Sequence, residues 1–168
     1  MLLNEYWDES YWPSCGRLRE CTRVGYASAW RRHIRPELGD MDLADLTGPR
    51  IQSWLDSITS AGAARKAWAV LRQMLRSAVR LGLLDADVTG RVTPPKPNGY
   101  EPEVLDIRQI RQLLQGFHGH ELEAWLICSV CLGLRTEEAL GLEWQDLNLN
   151  TGKVRVQRGL QWVDGHEV

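Results

Sequence analysis

The chain has 168 residues, with 20 Lys and Arg against 22 Asp and Glu and a net charge of −2. That is enough for one large or two small domains with a real core, and the overall charge by itself says nothing about nucleic acid. No run approaches the ~20 apolar residues of a membrane span. The opening MLLNEYWDES is acidic and aromatic where a secretory leader would be basic and then apolar, which points to a reduced, cytoplasmic protein.

The charge is unevenly spread. Residues 17–80 hold twelve Lys or Arg against six Asp or Glu, and residues 101–168 hold six against eleven. A basic first half and an acidic second half suggest two modules, of which the first carries the electrostatic footprint for a polyanion.

Residues 1–16 carry Tyr6, Trp7, Tyr11 and Trp12 without a clear period and read as a short N-terminal arm whose aromatics pack. Residues 18–35 read as a helix: Tyr26, Trp30, His33 and Ile34 form an apolar stripe, with Pro36 and Gly39 ending it. Arg23, Arg31 and Arg35 fall on another face, and His33 reads as a half-buried helix residue rather than a ligand. A second helix is predicted over 48–60, with Thr47 as cap, Pro49 in the first turn, and Ile51, Trp54, Leu55 and Ile58 on one face.

Residues 62–81 give the clearest amphipathic helix. Trp68, Leu71, Leu75, Ala78 and Val79 form its apolar side, and Arg65, Arg72, Arg76 and Arg80 a basic stripe beside it. Acids are absent between Ala61 and Leu84, whereas a merely solvated face usually mixes signs, so nucleic acid is the favoured partner. Gly82 stops the helix. Residues 89–103 (TGRVTPPKPNGYEPE) read as an extended linker between domains.

Beyond the linker, Asp106 is placed to cap a helix with Ile107, Ile110, Leu113 and Leu114 on one face. The run from Glu121 to Leu132 is apolar nearly all round after Glu123, which predicts a helix buried on every side. Cys128 and Cys131 lie within it as C-x-x-C. With no second such pair or His pair to complete a zinc set, all four cysteines (Cys15, Cys21, Cys128 and Cys131) read as core residues and no metal site is assigned. Asn150-Thr151-Gly152 predicts a turn. Val154 and Val156 alternate with polar residues as a strand, and Trp162 and Val163 begin a partner strand before Asp164-Gly165.

The stretch LGLRTEEALGLEWQDL, residues 132–147, pinches Arg135 between two helices. Gly133 suits the left-handed end of the first. Thr136 is a candidate cap for the second, with Glu137 and Glu138 in its first turn and Leu140 and Trp144 on one face. A guanidinium in so stiff a junction is suited to bidentate phosphate contact; alternatively it is a solvated arginine after a helix end, and Glu138 a plain first-turn acid.

This block resembles the first active-site motif of the tyrosine recombinases, the phage-integrase family, roughly T-G-[LM]-R-x-[ST]-E-[LI]-x-x-L-x-W-x-D-[IL]. Gly133, Leu134, Arg135, Glu138, Leu142, Trp144, Asp146 and Leu147 match without gaps; Cys131, Leu132, Glu137 and Ala139 depart from the commonest choices. Thr22 to Gly39, T-R-x-x-Y-x-x-x-W-x-x-H-I-x-P-x-L-G, resembles the opening of the family's core-binding domain. So does L-x-D-L-T-x-x-x-I-Q-x-W-L from Leu43.

The resemblance implies a mainly α fold: a helical SAM-like core-binding domain at 17–88, after the arm at 1–16, then the linker at 89–103 and a truncated α+β catalytic domain at 104–168. It implies site-specific recombination or integration of duplex DNA by strand breakage and rejoining, with no cofactor and no small-molecule substrate, on DNA in a bacterial or phage-infected cell. A homo-oligomer on DNA is implied for the full-length protein. Arg135 is the implied contact to the scissile phosphate and Glu138 its support, while Arg23, Arg65, Lys66 and Arg72 are the candidate DNA contacts.

The family also uses a tyrosine nucleophile, a second arginine, a lysine and a His or Trp. No tyrosine and no H-x-x-R follows Arg135, Tyr100 being the last tyrosine, and Lys153 is too early in its strand to carry over. The chain is therefore expected to cover about half of a family member and to be inactive alone. A non-catalytic DNA-binding remnant that competes for recombination sites is the alternative, and a helical protein-interaction domain a third reading.

Overall fold

The computed structural model describes residues 1–96, 99, 101–163 and 166–167, and the backbone divides into two units, Met1–Tyr100 and Glu101–Val168. That division falls within the stretch read as a linker, of which Pro97, Asn98 and Tyr100 lie outside the described residues, as do Asp164 and Gly165 after the predicted partner strand.

The first unit is all helix. It opens with α1 (Leu3–Tyr6), a π turn at Trp7–Tyr11, α2 (Trp12–Ser14) and a 3-10 turn at Cys15–Arg17. These residues are not an arm. Leu3, Tyr6, Trp7, Tyr11 and Cys15 are all buried, and the start is anchored by Leu3 N–H to the Met41 carbonyl (2.9 Å) and by the Met1 ammonium to Asp42 (2.8 Å). The aromatics lack a simple period because they face different neighbours: Trp7 stacks on Trp30 with ring centroids 4.4 Å apart and planes 5° apart, and on Trp12 at 5.2 Å.

α3 (Glu20–Ala29) leads through a second π turn at Trp30–Ile34 into α4 (Arg35–Leu38). Pro36 therefore does not end the helix. A proline ring clashes with the carbonyl four residues earlier and donates no N–H. For Pro13 and Pro36 those carbonyls belong to Glu9 and Arg32, each inside a π turn. There the wider i→i+5 bonding, Trp12 N–H to Trp7 and Arg35 N–H to Trp30, accommodates the ring and lets the helix run on.

α5 (Gly48–Ser57) begins after Thr47, whose hydroxyl makes no capping bond. α6 (Ala61–Arg80) is capped by Ser60, its Oγ accepting from Ala63 N–H at 3.3 Å, and Gly82 follows with φ +71°. Trp68, Leu71, Leu75 and Ala78 are buried against Ile34, Leu38, Ile51 and Leu55, so the predicted apolar side of α6 is the spine of the core. The 3-10 turn Val88–Arg91, with residues 89–91 read from sequence as linker, packs on this unit. Thr89 and Val92 are buried, and Gln52 bonds the Thr93 backbone at both its N–H (2.8 Å) and its carbonyl (3.2 Å).

The second unit holds α7 (Ile107–Gly116), α8 (Glu123–Leu132) and α9 (Thr136–Leu140), a 3-10 turn at Trp144–Asp146, and two short antiparallel pairs. Asp106 caps α7 through Arg108 and Gln109 N–H groups at 2.7 and 2.8 Å. β1 (Leu147–Asn148) pairs with β2 (Lys153–Val154), with Leu147 opposite Val154. β3 (Trp162–Val163) pairs with β4 (His166–Glu167) rather than with the strand at Val154.

α8 is not buried on every side: Leu126 is buried, but Ile127, Cys131 and Leu132 are exposed and Cys128 only half-buried. An apolar helix is enclosed only where other elements cover each face. Within this unit, among the described residues, only Leu126, Ala139, Gly141 and Asp146 are buried.

Candidate nucleic-acid interface

The first turn of α6 and the second π turn enclose an open groove of about 410 Å³, lined in part by Arg32, His33, Ser60, Gly62 and Lys66. A helix start offers unsatisfied N–H groups and the positive end of the dipole. Arg32 and Lys66 add full charges, and half-buried His33 adds an imidazole whose own carbonyl accepts from Trp54 Nε1–H at 2.9 Å. Arg32 was not singled out in the sequence, because its distance from Lys66 along the chain carries no local signal.

Lys66, Arg65 and Arg72 are exposed, and no salt bridge among the described residues holds them. Arg65 and Arg72 lie seven residues apart, two turns and ~10 Å along one side of the helix. Arg76, from the same predicted stripe, is instead paired with Asp87 at 3.3 Å. Its guanidinium, together with hydrogen bonds from Thr89, holds the Asp87 carboxyl below its usual range, the Thr89 bonds being the larger cause.

Arg23 is not brought together with these cations. Its guanidinium carbon sits 4.8 Å from the centroid of Trp12, and its Nε is buried without a partner. The attraction of the ring face for a cation, and the folding of residues 1–16 into the core, account for this placement.

In the second unit, Gly133 ends α8 in the left-handed region at φ +67°. Arg135, extended at φ −64° and ψ 156°, then stands at the N-cap of α9, so Thr136 is the first residue of that helix rather than its cap. Glu138 reaches back with both oxygens: Oε2 accepts from the Arg135 backbone N–H at 2.9 Å and Oε1 from its Nη1 at 3.0 Å. These two bonds, the backbone one first, hold the Glu138 carboxyl below its usual range. The arginine side chain is still 77% exposed. One of its five N–H donors is committed to Glu138, and the rest of the fork is available to a planar oxyanion.

α9 is a single short turn. It stops at Gly141, where an added Cβ would lie 3.0 Å from the Arg158 carbonyl and 3.1 Å from Leu160 N, so Leu140 and Trp144 do not share a helix face and Trp144 is 82% exposed. Asp146 behind it is fully buried at its side chain. Oδ2 accepts from Arg158 Nη2 at 2.7 Å and from Glu143 N–H at 3.0 Å, and Oδ1 from Gln157 Nε2 at 2.7 Å. The Glu143 and Gln157 bonds, then the Arg155 and Arg158 charges, hold its carboxyl low despite burial.

Among the described residues no group of three or more His, Cys, Asp or Glu is placed to hold a metal ion, and no helix is long and apolar enough to cross a membrane.

The chain is similar to known proteins over most of its length. The family model of the phage integrase N-terminal SAM-like domain matches residues 2–58. The chain is 28% identical over 156 residues to a tyrosine recombinase XerC-like protein of Caldanaerobacter subterraneus subsp. tengcongensis, covering 86% of this chain and 40% of that protein. It is 28% identical over 153 residues to tyrosine recombinase XerC of Pseudomonas syringae pv. syringae, covering 88% and 48%. Its fold superposes on a lambda integrase(75-356) dimer bound to a COC′ core site with a TM-score of 0.77 at 19% identity, covering 100% of this chain and 61% of that one. The chain thus spans less than half the length of these curated relatives. With a first unit that matches the phage integrase N-terminal SAM-like domain and relatives that are tyrosine recombinases over most of its length, the chain is similar to the tyrosine recombinase family in sequence and in fold.

Proposed function

We propose that this chain is the DNA-binding module and first-arginine block of a tyrosine-type site-specific recombinase that acts on duplex DNA in a bacterial or phage-infected cell and assembles on it as a homo-oligomer. The observation that carries the reading is Arg135, largely exposed yet pinned at two points by Glu138. A guanidinium fixed in this way can meet charge developing on a transferring phosphoryl group without first reorganising. Arg65, Lys66 and Arg72, joined by Arg32, would track the sugar-phosphate backbone, where cations set affinity and register rather than sequence.

Covalent strand breakage also needs a nucleophile, and no tyrosine follows Arg135. The purified chain should therefore bind duplex DNA at low salt and leave supercoiled plasmid intact. Absence of DNA binding would overturn the reading as a whole. Cleavage lost on Arg135→Ala would overturn its inactivity alone.

A second reading, a non-catalytic protein that occupies recombination sites and competes with a complete enzyme, is favoured by one observation: the closed core and the basic groove both lie in the first unit. On that reading Arg135→Ala should leave competition unchanged. On the first, the same substitution in a chain with the remaining active-site residues should abolish strand exchange.

A further inference from the structure

Segment 157–160 lies across the far end of the block that carries Arg135. Arg158 Nε donates to the Gly141 carbonyl at 2.9 Å, while Nη2 bonds Asp146 at 2.7 Å and Glu143 at 2.9 Å. Leu160 N–H donates to the Glu137 carbonyl at 2.8 Å, the same oxygen that accepts from Gly141 N–H at 3.0 Å. Gly159 packs so closely that a Cβ there would meet Glu137 Cγ at 3.2 Å. The last carbonyls of a helix normally want a partner, and α9 has only five residues with which to hold its own geometry. Here Arg158 supplies one such partner and ties it to a carboxylate with no exposure of its own.

We propose that Arg158 is a positioning residue: through its planar fork it locks the Gly141 turn to Asp146, and through α9 it fixes the direction of Arg135. That this matters for function rests on the reading of Arg135 as a phosphate contact; the locking itself does not. The guanidinium shape is required. It bonds a carbonyl through Nε and two carboxylates through Nη2 at once, an arrangement of separated donors that the single ammonium of a lysine does not reproduce.

The test uses the whole chain with Arg158→Ala and Arg158→Lys. It reads amide exchange at Ala139, whose N–H bonds the Arg135 carbonyl, and at Gly141, with the amides of α8 as internal reference. The Arg135 Nη resonance, slowed by Glu138, is the spectroscopic signature. In Arg158→Ala, Ala139 and Gly141 should exchange about tenfold faster, the scale of one lost charge-assisted hydrogen bond, with α8 unchanged. The Arg135 Nη signal should move toward that of a freely rotating arginine. Ethylguanidinium should restore both, and Arg158→Lys should not.

Unchanged protection in Arg158→Ala, a loss shared equally by α8, failure of ethylguanidinium to restore the signal, or full retention in Arg158→Lys would overturn the proposal. If Arg158→Ala frees the junction while Arg135→Ala does not alter strand exchange in a chain with the remaining active-site residues, the positioning role stands and the phosphate reading of Arg135 fails.

Discussion

Replacing Arg65, Lys66 and Arg72 together by alanine separates the cations that face solvent from those bound to the fold. All three are exposed on α6, and Lys66 lines the groove it shares with Arg32. None supports the core, so the variant should unfold within about 0.5 kcal/mol of the parent, as surface changes usually do. Each phosphate neutralised adds about 0.9 to the slope of log affinity against log salt, so losing three contacts should flatten that slope by about 2.7. Over a fourfold rise in salt the parent should therefore lose about 40-fold more affinity than the triple variant. Fluorescence anisotropy of a labelled random-sequence duplex, titrated at several salt concentrations, reads this directly. Equal slopes in parent and variant would refute the interface, and would return the basic stripe to an ordinary solvated face.

The complementary substitution is Arg23→Ala. It should leave the salt slope unchanged and cost the first unit about 1 kcal/mol, the scale of a cation held over an indole, visible as a lower midpoint in urea. Ile34→Ala, at a side chain with 0% exposure between the second π turn and α6, should cost about 2–5 kcal/mol by the same measurement. Amides of α7 to α9 should exchange faster than those of α6, because few side chains in the second unit are buried; equal protection would contradict this. Acid should loosen the second unit. Glu138 and Asp146 have lowered folded-state pKa values, so their contribution is present above the ordinary carboxylate range and is lost as pH falls below about 4. Near-UV circular dichroism of the exposed Trp144 region should change in that window, and in Asp146→Asn the change should be smaller.

Much of the architecture was legible from local pattern. The apolar side of α6, the cap at Asp106 and the left-handed Gly133 each follow from spacing or backbone chemistry within a few residues, and the structure places them accordingly. The arginine junction was legible for the same reason: a helix stop, an arginine and an acid three residues on can be read along the chain. At the junction itself the assignment of the cap changed, from Thr136 to the Arg135 backbone bound by Glu138, and beyond it the helix is shorter than its pattern suggested.

Other features depended on partners far away in sequence. Residues 1–16 became core rather than arm because Trp30 and the strand-like turn at Met41 and Asp42 received them. Arg23 left the set of free cations because Trp12 came to lie beneath it. Pro36 failed to stop its helix because a π turn absorbed the clash, and the helix after Arg135 ended early because Leu160 and Arg158 closed on Gly141.

The sequence by itself determined which faces were apolar, where charge gathered and where the backbone could turn, since these depend on neighbours within one or two helical turns. Which cations stayed free, which carboxylate was buried and what held the Arg135 junction were decided only by the tertiary structure. A guanidinium takes whatever ring or carboxylate packing brings within a few ångströms, and the spacing of residues along the chain carries no record of that distance.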